Sequence, residues 1–264
     1  MTDTALEARQ STAGGFGTAL TTAYSEALAG VYDDVYPDTP DLDDIGTFLL
    51  TLAHPGARVL ELGVGTGRVA LRLAEQGFEV HGVETSPAML ARLAEKDPRG
   101  RVVPHLGDLT GLDLGRTFDV VLAPFNVLCC ATAVDEQIAL MHALARHTAP
   151  GGHVVTETFD PSDHHVQKGN AVTTHPVGER GAMIESVAVL PASQNMLVQN
   201  TLFLDGAPPS CATTVLRYLW PSELDLLGGV ARLELVARHS GWREQPFDGG
   251  DSRKMCVSVF RPLA

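Results

Sequence analysis

The stretch 57-ARVLELGVGTGRVALRLA-74 decides the fold, because its hydrophobic period changes from strand to helix across a run of glycines. The apolar run at 59–62 fits a short, buried parallel strand. Apolar residues recur at helical spacing from Val69 onward. Between them lie three glycines, Gly63, Gly65 and Gly67. A glycine turn that enters the N-terminus of a helix lets a ligand approach the main chain, so this stretch predicts a binding site.

The spacing of these glycines excludes two common nucleotide-binding motifs. In the dinucleotide pattern G-x-G-x-x-G, the third glycine would stand where this chain has Arg68. A phosphate-binding P-loop requires Gly-Lys-Ser/Thr, which does not follow. What remains is E-x-G-x-G-x-G, beginning at Glu61. This pattern resembles the first motif of the class I, Rossmann-like methyltransferases that use S-adenosylmethionine (SAM), and the resemblance implies SAM as cofactor and S-adenosylhomocysteine as product.

Two further strand ends extend the resemblance. The predicted strand 79–84 ends in Glu84, an acid that in this topology faces the cofactor ribose. The run TSPAML then looks like the methyltransferase continuation, with Ser86 as helix cap and Met89 against the adenine. After strand 102–106, Asp108 is similar to the residue that accepts from the adenine amino group. The implied cofactor-binding residues are Tyr32, Glu61, Gly63, Gly65, Gly67, Arg68, Glu84, Thr85, Met89, Asp108, Leu109 and Phe125.

Composition narrows the partners and the compartment. The 264 residues carry a formal net charge of −13 with no basic stripe, which argues against nucleic acid or an anionic membrane as partner. The four cysteines show no metal-ligand spacing and no secreted disulfide pattern, so we expect no metal site and a cytoplasmic protein. No apolar run reaches transmembrane length. A small-molecule acceptor is the expected partner.

The N-terminal segment is expected to form a lid. Residues 1–18 are small and polar, so order should begin near Ala19, with one helix over 20–35 before Pro37. The pattern Y-D-x-x-Y, at Tyr32 to Tyr36, resembles a motif in the lid of small-molecule methyltransferases. By that resemblance we expect one of these tyrosines to contact a ligand, and we assign Tyr32 to the cofactor. Tyr24, on the same predicted helix, is a catalytic candidate.

The fourth strand and the residues after the fifth supply the candidate reaction site. The run 118-FDVVLAPFNVL-128 begins as a buried strand and leaves the sheet at Phe125, which we expect to form a wall near the transferable methyl. Its Ala-Pro-Phe-Asn departs from the Asn/Asp-Pro-Pro-Tyr/Phe of enzymes that methylate adenine or glutamine amides, which argues against such substrates. His164 or His165 is either a general base or an exposed loop residue. The catalytic candidates are Tyr24, Phe125 and His164.

Strand-like alternation at 182–190, 195–205 and 212–220 predicts an antiparallel insertion, which either caps the substrate or holds a homodimer together. Strands at 233–236 and 254–260 suit a final antiparallel hairpin. The expected fold is therefore α/β: a doubly wound, mostly parallel seven-stranded sheet with an antiparallel final hairpin and an antiparallel β insertion after the fifth strand. We expect a tail and lid at 1–44, a core at 45–166 and 220–264, and an insertion at 167–219.

These patterns imply SAM-dependent methyl transfer to a small molecule, a natural-product intermediate by architectural resemblance. Nitrogen is favoured over oxygen or carbon as acceptor, because a neutral amine needs little base catalysis and no base is firmly placed. One alternative is a methyltransferase-fold cyclase or pericyclic catalyst that binds SAM without methyl transfer. Another is a SAM-binding regulatory protein.

Overall fold

The computed structural model describes residues 14–37, 39, 41–162, 170–247 and 255–263. The helices are α1 (Gly14–Leu28), α2 (Tyr32–Val35), α3 (Asp41–Leu52), α4 (Arg68–Glu75), α5 (Pro87–Lys96), α6 (Val134–Arg146) and α7 (Pro221–Val230), with a 3-10 turn at Val127–Cys130. The strands are β1 (Arg58–Leu62), β2 (Glu79–Glu84), β3 (Val102–Leu106), β4 (Phe118–Ala123), β5 (Thr148–Phe159), β6 (Asn170–Pro176), β7 (Gly181–Leu190), β8 (Asn195–Leu204), β9 (Ser210–Arg217), β10 (Leu233–His239) and β11 (Met255–Pro262).

The larger sheet has seven strands in the order β10-β11-β5-β4-β1-β2-β3. β1 pairs in parallel with both β2 and β4, whereas β11 runs antiparallel to β5 and β10. The predicted fold class, with its antiparallel final hairpin, is confirmed. The strand order reverses between β1 and β4, so a crevice opens outside their carboxyl ends, where ligands bind in doubly wound sheets.

Two apolar layers bury the sheet, one on each face. Leu60 and Leu62 of β1 face a cluster that includes Leu140 of α6 and Phe260 of β11. Val59 faces the opposite cluster, built with α3 and α4. Because successive strand residues point to opposite faces, the apolar residues of β1 contribute to both layers.

The insertion forms a separate antiparallel sheet in the order β6-β7-β8-β9. β7, β8 and β9 correspond to the three predicted strands, but β6 was not predicted. Three consecutive residues of β6, Val172, Thr173 and Thr174, are exposed, so this edge strand lacks the apolar alternation that marks a half-buried strand.

Other differences concern helix boundaries. α1 begins at Gly14, before the expected start near Ala19, and the single helix expected over 20–35 is divided into α1 and α2. α7 continues through Gly228-Gly229 to Val230, although glycine is unfavourable in a helix interior. A Cβ on Gly228 would lie 2.9 Å from Cε1 of Phe260, so close packing explains this glycine. No helix in the described ranges is long and apolar enough to span a membrane.

Candidate active site

The three glycines of the turn after β1 serve different purposes. All have positive φ: +70° at Gly63, +54° at Gly65 and +82° at Gly67. A Cβ at Gly63 would lie 2.7 Å from Cγ2 of Val127, and one at Gly67 would lie 2.3 Å from Cδ1 of Leu93. At Gly65 the nearest atom would be the carbonyl oxygen of Gly63, 3.9 Å away. Two glycines therefore allow close packing, while the third faces open space that a ligand can fill.

Glu84, at the end of β2, is held against this turn. Its buried carboxylate accepts from the amide of Gly65 through Oε2 at 3.0 Å. Oε1 accepts from the amides of Thr85 and Ser86, each at 2.9 Å. Because a carboxylate oxygen can accept two hydrogen bonds, Oε2 keeps acceptor capacity for a ligand hydroxyl beside Gly65.

A second carboxyl, that of Glu61, lies buried at the end of β1. Its Oε2 has no hydrogen-bond partner. Burial, followed by the negative charge of Glu84, raises the pKa of the Glu61 carboxyl well above its usual range. A buried carboxyl without a cation or a full set of donors is costly, so a cationic ligand at this edge would stabilise the charged form of Glu61.

A narrow cleft lies at the same sheet edge. Its wall is formed by Thr21, Thr85, Asp108, Leu109, Thr110, Val127, Cys130, Ala131, Glu136 and Leu140. The open space is about 50 Å³, well below the roughly 300–1,000 Å³ of typical ligand pockets. Thr21 belongs to α1, so the described conformation is closed by this helix.

Two acids on the cleft wall differ in their bonding. Asp108 is exposed, and its Oδ1 accepts from the amide and hydroxyl of Thr110 at 2.9 Å. Glu136 is buried; its Oε2 accepts from the amides of Thr132 and Ala133, while its Oε1 has no partner. Sequence reasoning missed Glu136. The available signal was an acid in the first turn of α6, where it satisfies unpaired amides.

The N-terminal helices are tied to the cofactor edge by two acids. Oε1 of Glu26 in α1 accepts from the Ser86 hydroxyl at 2.6 Å and from the Ala88 amide at 3.1 Å. These bonds lower the pKa of Glu26. Asp33 in α2 accepts from the Thr66 hydroxyl at 2.6 Å and pairs with Lys96 at 2.9 Å. α1 and α2 are thereby bonded to the glycine turn and to α5.

Three tyrosines, one in α1, one in α2 and one directly after α2, cluster beneath the insertion sheet. The hydroxyls of Tyr24 and Tyr36 are 3.1 Å apart, and the amide of Asn200 in β8 donates to Tyr24 at 2.8 Å. The ring centroids of Tyr32 and Tyr36 are 4.9 Å apart. Burial, the largest cause, raises the pKa of all three phenols. These hydroxyls therefore stay protonated at neutral pH and act as hydrogen-bonding groups rather than bases.

The tip after β4 is strained and braced from β5. Phe125 and Asn126 have φ of +47° and +65°, unusual for residues with side chains. Oε2 of Glu157 accepts from the Phe125 amide at 2.8 Å, and its Oε1 accepts from the indole of Trp242 at 3.0 Å. Oδ1 of Asn126 accepts from the Phe159 amide at 2.7 Å. Strain of this kind persists only where surrounding contacts hold it, and it concentrates at functional sites.

Phe125 itself is 42% exposed at this edge, and the Arg68 guanidinium lies 5.4 Å from its ring centroid. Arg68 also donates to the Pro37 carbonyl at 3.0 Å, so it lies between the lid and the β4 tip rather than on the cleft wall. Sequence reasoning missed Glu157, Asn126 and Trp242, although an acid inside the buried strand segment TETF was a signal for the first.

The remaining predicted residues are placed as follows. Ser86 caps α5 as expected, while Met89 is buried and is not part of the cleft wall. His164 and His165 lie outside the described residues.

Burial raises the pKa of the Cys130 thiol on the cleft wall to about 12, so this thiol is not a nucleophile at neutral pH. In the described part of the chain, no group of three or more His, Cys, Asp or Glu residues is arranged to hold a metal ion.

Comparison with known proteins agrees with this geometry. The family model for a methyltransferase domain matches residues 59–152. The cypemycin N-terminal methyltransferase of a Streptomyces species is 30% identical over 209 residues, which are 78% of this chain and 84% of the relative. A dTDP-4-amino-2,3,4,6-tetradeoxy-D-glucose N,N-dimethyltransferase of Saccharopolyspora spinosa is 28% identical over 141 residues, 52% of this chain and 56% of that enzyme.

A solved structure is similar over almost its whole length. The CcbJ methyltransferase of Streptomyces caelestis is 38% identical and superposes with a TM-score of 0.84, covering 92% of this chain and 99% of that one. The family predicted from the glycine turn is confirmed. The chain belongs to the class I, Rossmann-like methyltransferases, which take their methyl group from S-adenosylmethionine.

Proposed function

We propose that this protein transfers the methyl group of SAM to a nitrogen atom of a natural-product intermediate. The observation that carries the proposal is the open side of Gly65 beside two buried carboxyls, one of which has an oxygen without a hydrogen-bond partner. SAM fits these residues. Gly65 leaves room for the cofactor to approach the main chain closely, and Glu84 can accept hydrogen bonds from the ribose hydroxyls. The carboxylate of Glu61 can pair with a cationic group of the cofactor. Thr85, Asp108 and Leu109 would line the adenine side.

When bound, SAM supplies an electrophilic methyl group, so the protein's main tasks are to orient an acceptor and exclude water. Orientation alone accounts for roughly 7–11 kcal/mol of the barrier in the best intramolecular reactions. Phe125, at the braced β4 tip, forms one wall for the acceptor, and α1 and α2 cover the opposite side.

Nitrogen is the preferred acceptor for two reasons. The cypemycin relative is named for an N-terminal methyl transfer and the Saccharopolyspora relative for N,N-dimethylation. The tyrosines that face the site also have raised pKa values, so they are poor bases for a hydroxyl or carbon acid. A neutral amine can attack without such a base.

We further propose that residues 1–44 act as lid, 167–219 as cap, and 45–166 with 220–264 as core. Contacts between lid and insertion support this division: Tyr24 bonds Asn200, and Arg180 pairs with Asp34 at 3.0 Å. A homodimer through the outer face of the insertion, where Leu197 and Phe203 are exposed, is part of the proposal. Sedimentation equilibrium of the native protein and a Leu197→Asp, Phe203→Asp double variant tests it, since only the native protein should dimerise.

The function is tested by incubating the protein with SAM and a panel of amino sugars and amine-bearing peptides, each paired with its hydroxyl analogue. Mass spectrometry follows S-adenosylhomocysteine and the mass gain of one methyl group. We expect both to appear together with amines and not with hydroxyl analogues. Transfer to the hydroxyl analogues alone would contradict nitrogen as acceptor, and conversion of an acceptor without release of S-adenosylhomocysteine would contradict methyl transfer.

A further inference from the structure

The insertion sheet has an inner face, which packs on the lid, and this face is largely apolar. Met183 of β7 and Leu202 of β8 are buried in a cluster with Leu28 of α1. Val187 and Val198, farther along the same strands, are buried in a neighbouring cluster with Tyr218. Because strand residues alternate between faces, the odd-numbered positions of β7 and the even-numbered positions of β8 line this inner face.

Polar side chains interrupt this face at its centre. Glu185 lies between Met183 and Val187 on β7, and its register partner on β8 is Asn200. Directly paired residues on an antiparallel face have Cβ atoms roughly 4.5–5.5 Å apart. In the next row, Thr214 of β9 pairs with Val198. Three polar residues therefore share one patch of an otherwise apolar, lid-facing surface.

Two of these residues carry buried acceptors without partners. Asn200 is fully buried; its Nδ2 donates to Tyr24, but its Oδ1 has no hydrogen bond. Thr214 is 6% exposed, and its Oγ1 also has none. Leaving a buried polar atom unpaired is destabilising. A ligand that donates N–H bonds would satisfy both.

Glu185 supplies a negative charge beside them. Over the residues that the structure describes, no lysine, arginine or histidine lies within ion-pair distance of its carboxylate. Its side chain is near the tyrosine cluster, because its charge is one of the causes that raise the pKa of Tyr36, after burial. A half-buried carboxylate without an ion-pair partner, on a mostly apolar face, favours a cationic partner.

This polar patch lies near the cofactor cleft. Thr21 lines the cleft, and Tyr24, which bonds Asn200, follows three residues later on α1. Three residues of helix rise about 4.5 Å. A group held by Asn200 and Glu185 therefore lies close to the cleft that we assign to SAM.

We propose that Glu185, Asn200 and Thr214 bind the ammonium group of the acceptor, with Glu185 as its counter-charge and the two neutral side chains as hydrogen-bond acceptors. This inference rests on the proposed function and adds to it the acceptor class: a primary or secondary amine that arrives as its cation. The ammonium has no lone pair, so it must lose a proton before its nitrogen can attack the methyl group. The Glu185 carboxylate takes that proton, and the neutral amine that remains is the nucleophile.

The test uses two probes of equal shape, benzylammonium and neutral benzyl alcohol. Ligand-observed NMR measures their affinity for the native protein, with and without saturating S-adenosylhomocysteine. The variants are Glu185→Gln and Thr214→Val, and Glu179→Gln is the matched control. Glu179 is exposed in the turn between β6 and β7, so its loss changes net charge equally without altering the polar patch.

We expect the native protein and Glu179→Gln to prefer benzylammonium by at least about tenfold, which is ~1.4 kcal/mol. Glu185→Gln should abolish that preference. Thr214→Val should weaken benzylammonium binding while leaving the melting temperature unchanged or higher, because it removes an unpaired buried hydroxyl. This second variant keeps the test decisive if Glu185→Gln does not fold.

Equal binding of the two probes by the native protein, including no binding of either, would overturn the inference. So would a preference that survives in both Glu185→Gln and Thr214→Val. These failures differ from failure of the proposed function. If S-adenosylhomocysteine binds but the ammonium preference is absent, only the acceptor site is wrong. If the preference is present but S-adenosylhomocysteine does not bind, the methyltransferase function is wrong.

Discussion

Replacing Gly65 with alanine separates cofactor binding from folding. A Cβ at this position would meet nothing closer than a carbonyl oxygen at 3.9 Å, so the side chain clashes with no part of the protein. The cost to folding comes from φ of +54°, where a left-handed residue with a side chain costs roughly 1–2 kcal/mol. In a protein of this size that lowers the melting temperature by about 2–4 °C per kcal/mol.

The cost to SAM binding is separate from this loss of stability. The new methyl group would occupy the space that the cofactor needs, and forcing a methyl group into filled space costs about 1–3 kcal/mol. The dissociation constant for SAM should therefore rise about 5- to 150-fold. Isothermal titration calorimetry with SAM, beside thermal melts of the free protein, measures both quantities.

Gly100→Ala is the matched control. Gly100 also has positive φ, +62°, and a Cβ there would have no atom within 4 Å. It should lose as much stability as Gly65→Ala while binding SAM like the native protein. Gly67→Ala should lose more stability than either, because its Cβ would lie 2.3 Å from Leu93. If Gly65→Ala binds SAM within twofold of the native protein, the open side of Gly65 is not the cofactor site.

Three further predictions follow from buried polar groups. Glu61→Gln should raise the melting temperature of the cofactor-free protein at pH 8 and weaken SAM binding in calorimetry. The pKa of Glu61 is raised in the folded protein, so the native state loses stability as the pH rises above the pKa of Glu61 in the unfolded chain, near 4.3. An unchanged melting temperature would count against this. Glu157→Gln should lower the free energy of unfolding in urea by about 1–3 kcal/mol, because a glutamine cannot accept from both Phe125 and Trp242; a change below 0.5 kcal/mol, roughly the size of a surface effect, would refute the bracing role. Burial raises the pKa of the Tyr24 phenol, so above about pH 10 the unfolded chain loses a proton that the native state keeps, and stability falls by ~1.4 kcal/mol per pH unit. Tyr24→Phe should remove that share of the slope in denaturant unfolding at pH 10–11, and an unaltered slope would show that the native phenol ionises freely.

The part of the site that was predictable from sequence is local. The turn from β1 into α4 is encoded in one stretch, because glycines at fixed spacing separate a strand period from a helix period. Glu84 was accessible because parallel strands bring their carboxyl ends to one edge, so an acid at the end of β2 has to lie near the turn after β1. The resemblance to the class I methyltransferases then identified SAM as the expected ligand.

The part that was not predictable depends on partners far apart in the chain. Glu157 braces Phe125 from a position 32 residues away, and Asn200 meets Tyr24 across 176 residues. Neither pairing leaves a periodic trace in the sequence. β6 was not predicted for a related reason. It is an edge strand with a run of exposed residues, so burial does not require apolar and polar residues to alternate along it.

The central claim is that SAM binds at the edge formed by the glycine turn and Glu84, and calorimetric titration of the native protein and Glu84→Ala with SAM tests it most directly. Glu95→Ala, at an exposed acid of α5, is the control. The native protein and the control should bind equally, and Glu84→Ala should bind about 10- to 150-fold more weakly, as expected for loss of a charged hydrogen bond of about 1.5–3 kcal/mol. Circular dichroism establishes that the variant is folded. A folded native protein that does not bind SAM, or a folded Glu84→Ala that binds it as tightly as the native protein, would contradict the account.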